Sequence, residues 1–295
     1  MELRTLSYFL TVAREENITK AAQLLHITQP TLSRQLMQLE DELGVKLFTR
    51  SNHSIVLTDE GMLLKRRAQE LVSLAEKTKQ DFSDTKNISG EIGIGSGELM
   101  CFEYVAEIIA AFQKLYPLVH FDIYSGNADS IKDRIEKGLL DVGLLVEPVD
   151  IGKYDFVRVP GEEIWGALVH KDSALSKKDC IMPEDFFDQQ LIMTKRAVVQ
   201  NAIASWFGKD YDKLSIMSTF NLTNNAAIMV RKKLGIVICV KPIGEYENTK
   251  FLPFAPKLTA KTVLVWKKNQ MISAATEAFI EFSKKYISGI SNDTI

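Results

Sequence analysis

From Gly90 onward the chain alternates strand-like and helix-like runs, and that alternation constrains its fold more than any other feature. In GEIGIGSGELM, Ile92 and Ile94 alternate with glycines, the pattern of a strand running into a loop. Apolar residues then fall at Phe102, Val105, Ile109, Phe112 and Leu115, a helical spacing closed by Pro117. LVHFDIYSGN reads as a second strand, IKDRIEKGLL as a second helix and DVGLLVEP as a third strand. WGALVH, QLIMT, IMSTF, IVICV and KTVLVW repeat the scheme between residues 162 and 266, and EAFIEFSKKY forms a final helix. Alternation of this kind predicts an α/β fold built on a parallel, doubly wound sheet.

The N-terminal third reads differently. Leu3, Leu6, Phe9, Leu10 and Ala13 follow the spacing of an amphipathic helix, which Asn17 interrupts. ITKAAQLL is a second, short helix, with Thr19 placed to cap it and Ala21 and Ala22 small enough for close helix packing. In HITQPTLSRQLMQLEDELG, Leu32, Leu36, Leu39 and Leu43 form one face of a third helix, with Thr28 as its N-cap and Pro30 in its first turn. Pro30, Thr31, Arg34, Met37 and Gln38 project from the other face, with Gln29 and Ser33 on the flanks. Two short helices, a tight turn and a third helix make a helix-turn-helix at about 18–37, whose last helix can enter a major groove. Arg34 can donate to guanine O6 and N7, Gln29 and Gln38 to adenine, and the Thr31 methyl can meet thymine. Thr28 and Ser33, beside the helix N-terminus, can hold a phosphate. A solvated outer face on an ordinary three-helix domain has the same spacing, so the next segment decides.

VKLFTR and SIVLT are short strand-like runs joined through Ser51, Asn52 and His53, a hairpin placed as the wing of a winged helix-turn-helix, with Arg50 and His53 as its cationic contacts. Thr58 then caps a long helix that carries Asp59 and Glu60 in its first turn, where they suit the helix dipole. Its stripe of Leu64, Ala68, Leu71, Val72, Ala75 and Phe82 has little of its own chain to cover it, so a homodimer through this linker helix is expected.

The charge balance supplies no bulk argument for nucleic acid. The 295 residues carry a net charge of −2, and residues 1–58 hold six basic and six acidic side chains, so recognition must rest on placement. No apolar run approaches the roughly 18 residues of a membrane helix. Arg4, Arg14, Glu15 and Glu16 break the N-terminal segment, which does not read as a secretory signal, and a cytoplasmic protein is expected. Cys101, Cys180 and Cys239 have no metal or disulfide spacing and read as structural thiols, with Cys101 beside a glycine-rich loop the one to watch. His26, His53, His120 and His170 show no metal spacing, and GxSxG and HExxH are absent, so neither a metal site nor catalytic residues are expected. GIGSG is not a dinucleotide fingerprint, and no cofactor is expected. Asp141 reads as a turn or cap residue.

AAQLLHITQPTLSRQLMQLEDELGVKLFTR followed by LTDEG resembles the N-terminal signature of LysR-type transcriptional regulators, and a weaker likeness continues to about residue 285. The resemblance implies a dimer or tetramer on double-stranded DNA with a dyad operator, a small-molecule effector and no catalysis. It places base and phosphate contacts on Gln29, Pro30, Thr31, Ser33 and Arg34, with the wing near residues 50–53. Many members carry glycine and arginine at the wing tip, where this chain has Asn52 and His53, which implies a weaker wing contact and smaller salt dependence. It also implies the two-lobed fold of periplasmic solute-binding proteins. The domains are then 1–58 (winged helix-turn-helix), 59–87 (linker helix) and 88–295 (effector domain), with lobe I at 88–161 and 267–295 and lobe II at 162–266.

Ligands of open α/β sheets sit beyond the carboxyl ends of strands. The loops there hold Ser96, Gly97, Glu98, Leu99 and Met100, then Ser125, Gly126 and Asn127, then Glu147, Thr194, Lys195 and Asn224 as candidate effector contacts. Glu98 and Glu147 repel a carboxylate while Lys195 and Arg196 attract one, so a zwitterion such as an amino acid suits the set. A cytoplasmic solute-binding sensor whose N-terminal helices only assemble it is the competing expectation.

Overall fold

The computed structural model describes residues 1–50, 55–81 and 88–292. The chain divides into two compact units, Met1–Thr85 and Lys86–Ile295.

In the first unit, α1 (Leu3–Glu15), α2 (Ile18–Leu24) and α3 (Gln29–Leu43) precede the strands β1 (Phe48–Arg50) and β2 (Ile55–Leu57) and the long helix α4 (Asp59–Asp81). Leu6, Phe9, Val12, Ala21, Ala22, Leu32, Leu36, Leu39, Leu47 and Ala68 form its core. Leu43, the last member of the leucine stripe, lies in the final turn of α3 and is exposed. Asn17, rather than Thr19, caps α2, its Oδ1 accepting from the Lys20 N–H at 2.9 Å. An asparagine just outside the helix satisfies an orphan N–H, so the residue that breaks α1 also starts α2. His26 takes the left-handed conformation (φ 54°) in the turn before α3. β1 and β2 pair antiparallel, Phe48 opposite Leu57. Along α4, Leu64, Ala68 and Val72 pack on the core, whereas Leu71 and Leu74 are exposed; Phe82 lies outside the described residues.

The second unit runs β3 (Gly90–Ser96), α5 (Phe102–Leu115), β4 (Val119–Ser125), α6 (Ala128–Glu136), β5 (Val142–Val146), β6 (Tyr154–His170) and β7 (Gln190–Thr194). It continues with α7 (Ala197–Phe207), β8 (Ser215–Phe220), α8 (Thr223–Arg231), β9 (Ile236–Val240), β10 (Thr249–Pro253), β11 (Thr259–Lys267) and α9 (Ala274–Asn292). Among the described residues these strands join in the order β4-β3-β5-β11-β6-β9-β7-β8, with β10 also on β6. The sheet is mixed, where the alternation predicted a parallel one. β4-β3-β5 and β9-β7-β8 are parallel, but β11, β6 and β10 run antiparallel to their neighbours. Strands buried on both faces, β5 and β9, read as unbroken apolar runs, while the edge strands β4 and β8 carry many exposed positions.

Two strands join the lobes. β6 pairs with β11 from Tyr154 to Ile164, through a register shift near Gly161 (φ 87°), with β9 from Trp165 on and with β10 from Gly166 on. Thr262–Trp266 of β11 pair with β5, so the strand expected in lobe II closes the sheet of lobe I instead. Lobe I is covered by α5 and α9 on one face and α6 on the other, and lobe II by α7 and α8. Asp141 Oδ2 accepts from the Gly93 N–H at 2.7 Å, so this side chain ties the entry to β5 onto β3, where a local turn or cap role was expected. No helix among the described residues is long and apolar enough to cross a membrane.

Candidate nucleic-acid interface and ligand cleft

The first turns of α3 carry a compact polar surface. Thr28, Gln29, Pro30, Thr31, Arg34 and Gln38 are exposed and Ser33 is half-buried. The Thr28 hydroxyl caps the helix, accepting from the Thr31 N–H at 3.4 Å, and the two threonine hydroxyls share a hydrogen bond of 2.8 Å. Gln29 Nε2 donates to Ser33 Oγ at 2.8 Å, which fixes that flank. No hydrogen bond or ion pair to the described residues holds Arg34 or Gln38, so both are free to meet an external partner. Arg50 ends β1 with its side chain outside the description, and His53 lies outside the described residues.

Glu40, a residue the sequence reading passed over, ties this helix to the wing. Its Oε1 accepts from the N–H groups of Leu47 (2.8 Å) and Phe48 (3.4 Å), and its Oε2 from Lys46 Nζ (2.8 Å). Thr58 completes the brace: its hydroxyl donates to Lys46 O and accepts from the Gly61 N–H. Gly61 itself is required there, because a Cβ would stand 2.1 Å from Leu47 O. Burial opposes the charge on Glu40, but Lys46 and the two N–H groups outweigh it and hold the carboxyl below its ordinary range. A carboxylate with a lowered folded pKa contributes stability that is present above the ordinary carboxylate range and is lost as pH falls through its folded value. Glu40→Gln is therefore expected to cost the first unit about 1–2 kcal/mol at pH 7. Urea unfolding of wild type and variant should converge as the pH is lowered; an equal gap at acid pH would contradict the role.

In the second unit a cleft of about 710 Å3, open mouth included, lies between the lobes at the carboxyl ends of β3, β4, β7 and β8. Register puts those ends side by side, Ser96 opposite Ser125 and Thr194 opposite Phe220. Of the expected residues, Gly97, Glu98, Leu99, Gly126, Asn127 and Thr194 line the cleft. The others do not. Ser96 is buried at the strand end and its hydroxyl donates to Gly97 O. Ser125, one residue before the loop, is exposed on the edge strand. Met100 lines a separate hollow beside Lys241–Tyr246. Glu147 pairs with Arg158 at 3.3 Å. Lys195 points to solvent and its neighbour Arg196 lines the cleft, since one step at a strand end reverses the side chain. Asn224 stands behind Glu98 rather than on the wall, donating to Glu98 Oε1 at 2.5 Å and accepting from the Tyr246 hydroxyl at 2.7 Å.

Two further contacts join the Asn224–Glu98 bond in bridging the lobes across this cleft. The Thr223 N–H at the start of α8 donates to Glu98 Oε2 at 2.8 Å, so a carboxylate of lobe I caps a helix of lobe II. Arg196 Nε meets Asp129 Oδ2 at 3.4 Å. The walls, missed in the sequence, are apolar: Leu144, Val146, Trp165, Phe220, Ile238 and Val240. Asn127 caps α6, accepting from the Ser130 N–H at 2.9 Å. Burial, with the Glu98 charge, pushes the Cys239 thiol up to about 12. Cys101 is buried too, and burial pushes its thiol up to about 11, leaving it a weak nucleophile. Its N–H donates to the fully buried Glu163 of β6 at 2.9 Å.

The family model for the bacterial regulatory helix-turn-helix protein, lysR family, matches residues 3–62, and that for the LysR substrate binding domain matches residues 85–288. The chain is 28% identical over 286 residues to the uncharacterized HTH-type transcriptional regulator YybE of Bacillus subtilis (strain 168), covering 96% of this chain and 98% of that one. The HTH-type transcriptional regulator BsdA of the same organism is 33% identical over 176 residues, 59% of this chain and 60% of BsdA. Among solved structures, CbnR, a LysR family transcriptional regulator, superposes with a TM-score of 0.72 at 18% identity, covering 97% of this chain and 99% of that chain. CbnR complexed with its target DNA gives a TM-score of 0.69 at 18% identity, over 97% of this chain and 100% of that chain. At that identity the likeness is one of fold.

Proposed function

The chain belongs to the LysR family of DNA-binding transcriptional regulators with an effector-binding domain, and we propose that its first turns of α3 read the operator while the interlobe cleft takes the effector. The observation that carries the DNA reading is Arg34, exposed and without a partner among the described residues, on the face opposite Leu32, Leu36 and Leu39. Gln29, Gln38 and Thr31 supply further base-edge chemistry, and Thr28 and Ser33 lie where a phosphate meets a helix N-terminus. Residues 1–58 act as the DNA-binding domain, 59–87 as the linker and 88–295 as the effector domain.

The exposed Leu71 and Leu74 support a dimer through α4, which supplies two recognition helices for the halves of a dyad operator. A higher assembly is a tetramer. The protein works in the cytoplasm, by binding rather than by catalysis. An effector that binds the two lobes differently in their open and closed arrangements shifts the balance between them and so the DNA affinity.

Sequencing the fragments of source genome that the purified full-length protein retains at near-physiological salt tests this directly. A few intergenic sites with interrupted dyad symmetry are expected. Uniform recovery, or none with or without added metabolites, would instead favour a solute-binding sensor that does not read DNA.

A further inference from the structure

The charges left in the cleft after its internal contacts are satisfied define what it can hold, taking the cleft as the effector site proposed above. Glu98 makes no ion pair among the described residues; its two partners, the Thr223 N–H and the Asn224 amide, are neutral. No cation among the described residues meets this carboxylate in its half-buried, largely apolar pocket, and each oxygen keeps a second lone pair. Two neighbours feel it: burial first, and then Glu98, pushes up both the Cys239 thiol on the wall and the Tyr246 hydroxyl behind it. A ligand ammonium supplies the missing opposite charge.

The opposite sign sits on the other side. Arg196 lines the cleft with only 11% of its side chain exposed, and its one ion pair among the described residues runs through Nε to Asp129, itself 65% exposed. Its two terminal nitrogens have no partner among the described residues. Among the described residues the Asn127 side chain caps the Ser130 N–H alone, so the N–H groups of Ala128 and Asp129 at the start of α6 can meet an anion, with Arg196 offsetting the Asp129 carboxylate. Between the charged ends the walls offer Leu144, Trp165, Phe220 and Ile238, which disfavour a polyol or sugar and reward an apolar side chain.

We propose that the cleft binds an apolar-bodied zwitterion, a hydrophobic α-amino acid or a compound with the same disposition of ammonium, carboxylate and apolar group, with Glu98 taking the ammonium and Arg196 the carboxylate. A dicarboxylate would bring a second negative charge against Glu98. A simple monocarboxylate would leave that charge uncompensated.

Isothermal titration of the full-length protein with the standard amino acids, and with the deaminated and decarboxylated analogue of each one that binds, tests the assignment. At least one hydrophobic amino acid is expected to bind, about tenfold or more tighter than either analogue. Glu98→Gln should abolish the preference over the deaminated acid alone, and Arg196→Gln the preference over the decarboxylated amine alone, with thermal melting certifying that each variant folds. A deaminated acid that binds as tightly as its parent overturns the assignment, as does failure of every amino acid to bind. The effector reading is judged separately, by whether a metabolite extract shifts the melting of the wild type and not of a variant with the cleft filled by Ala128→Trp. If that shift survives while amino acids fail, only the ligand class is wrong; if it is absent, the cleft is not the effector site.

Discussion

Phe112→Ala is expected to destabilise the second unit by about 3–5 kcal/mol. Phe112 is fully buried on α5, and its ring centroid lies 4.6 Å from that of Tyr116, 5.3 Å from Phe279, 5.5 Å from Phe282 and 6.2 Å from Phe121. Three of those four contacts leave its own helix: Phe279 and Phe282 belong to α9 and Phe121 to β4. α9, last in the chain, returns to lobe I, and this aromatic cluster is what receives it. Truncation to alanine removes the ring from every pair at once and leaves a cavity among side chains held by separate elements, which limits how far the site can collapse. For a unit of this size the loss corresponds to a fall in melting temperature of roughly 6–20 °C. Calorimetry of the full-length protein should place the whole fall in one transition, that of the second unit. A change equivalent to under about 1 kcal/mol would mean that α9 is held by other contacts.

What could be read in the sequence follows from how local each signal is. α3 was legible because a cap, a first-turn proline and a leucine period agree within fifteen residues, and the structure adds only that Leu43 escapes the core. QLIMT and IVICV were legible because strands covered on both faces are unbroken apolar runs. The first half of β6 was not, since Pro160, Gly161, Glu162 and Glu163 interrupt its pattern where it crosses between lobes. β11 was recognised as a strand but given to the wrong lobe, because pairing partners leave no mark on a strand's own sequence. At the cleft, polar loop residues such as Glu98 and Thr194 announced themselves by type and position. Trp165 and Ile238 could not, because an apolar strand residue looks alike whether it faces a core or a ligand. Glu40 and Glu163 act through partners at the ends of other elements, and nothing in their immediate neighbours signals it.

Arg34→Ala is expected to lower affinity for a specific operator about 10- to 100-fold, the equivalent of roughly 1–3 kcal/mol for a lost bidentate contact to a base. Stability should not move, because Arg34 is exposed and bonds to none of the described residues, and a dimer built through α4 should persist. The salt dependence of binding separates the two roles open to an arginine on this face. If Arg34 reads a guanine, the variant loses discrimination at one operator position while the slope of log affinity against log salt stays nearly constant. If it only neutralises a phosphate, the loss is uniform over all sequences and the slope falls by about one ion. The geometry favours the first outcome: Arg34 stands on the outer face of α3, between Thr31 and Gln38, whereas the groups suited to phosphate gather at the helix N-terminus around Thr28. Gln38→Ala, one turn further along, should cost less, since it removes a neutral contact that water can replace.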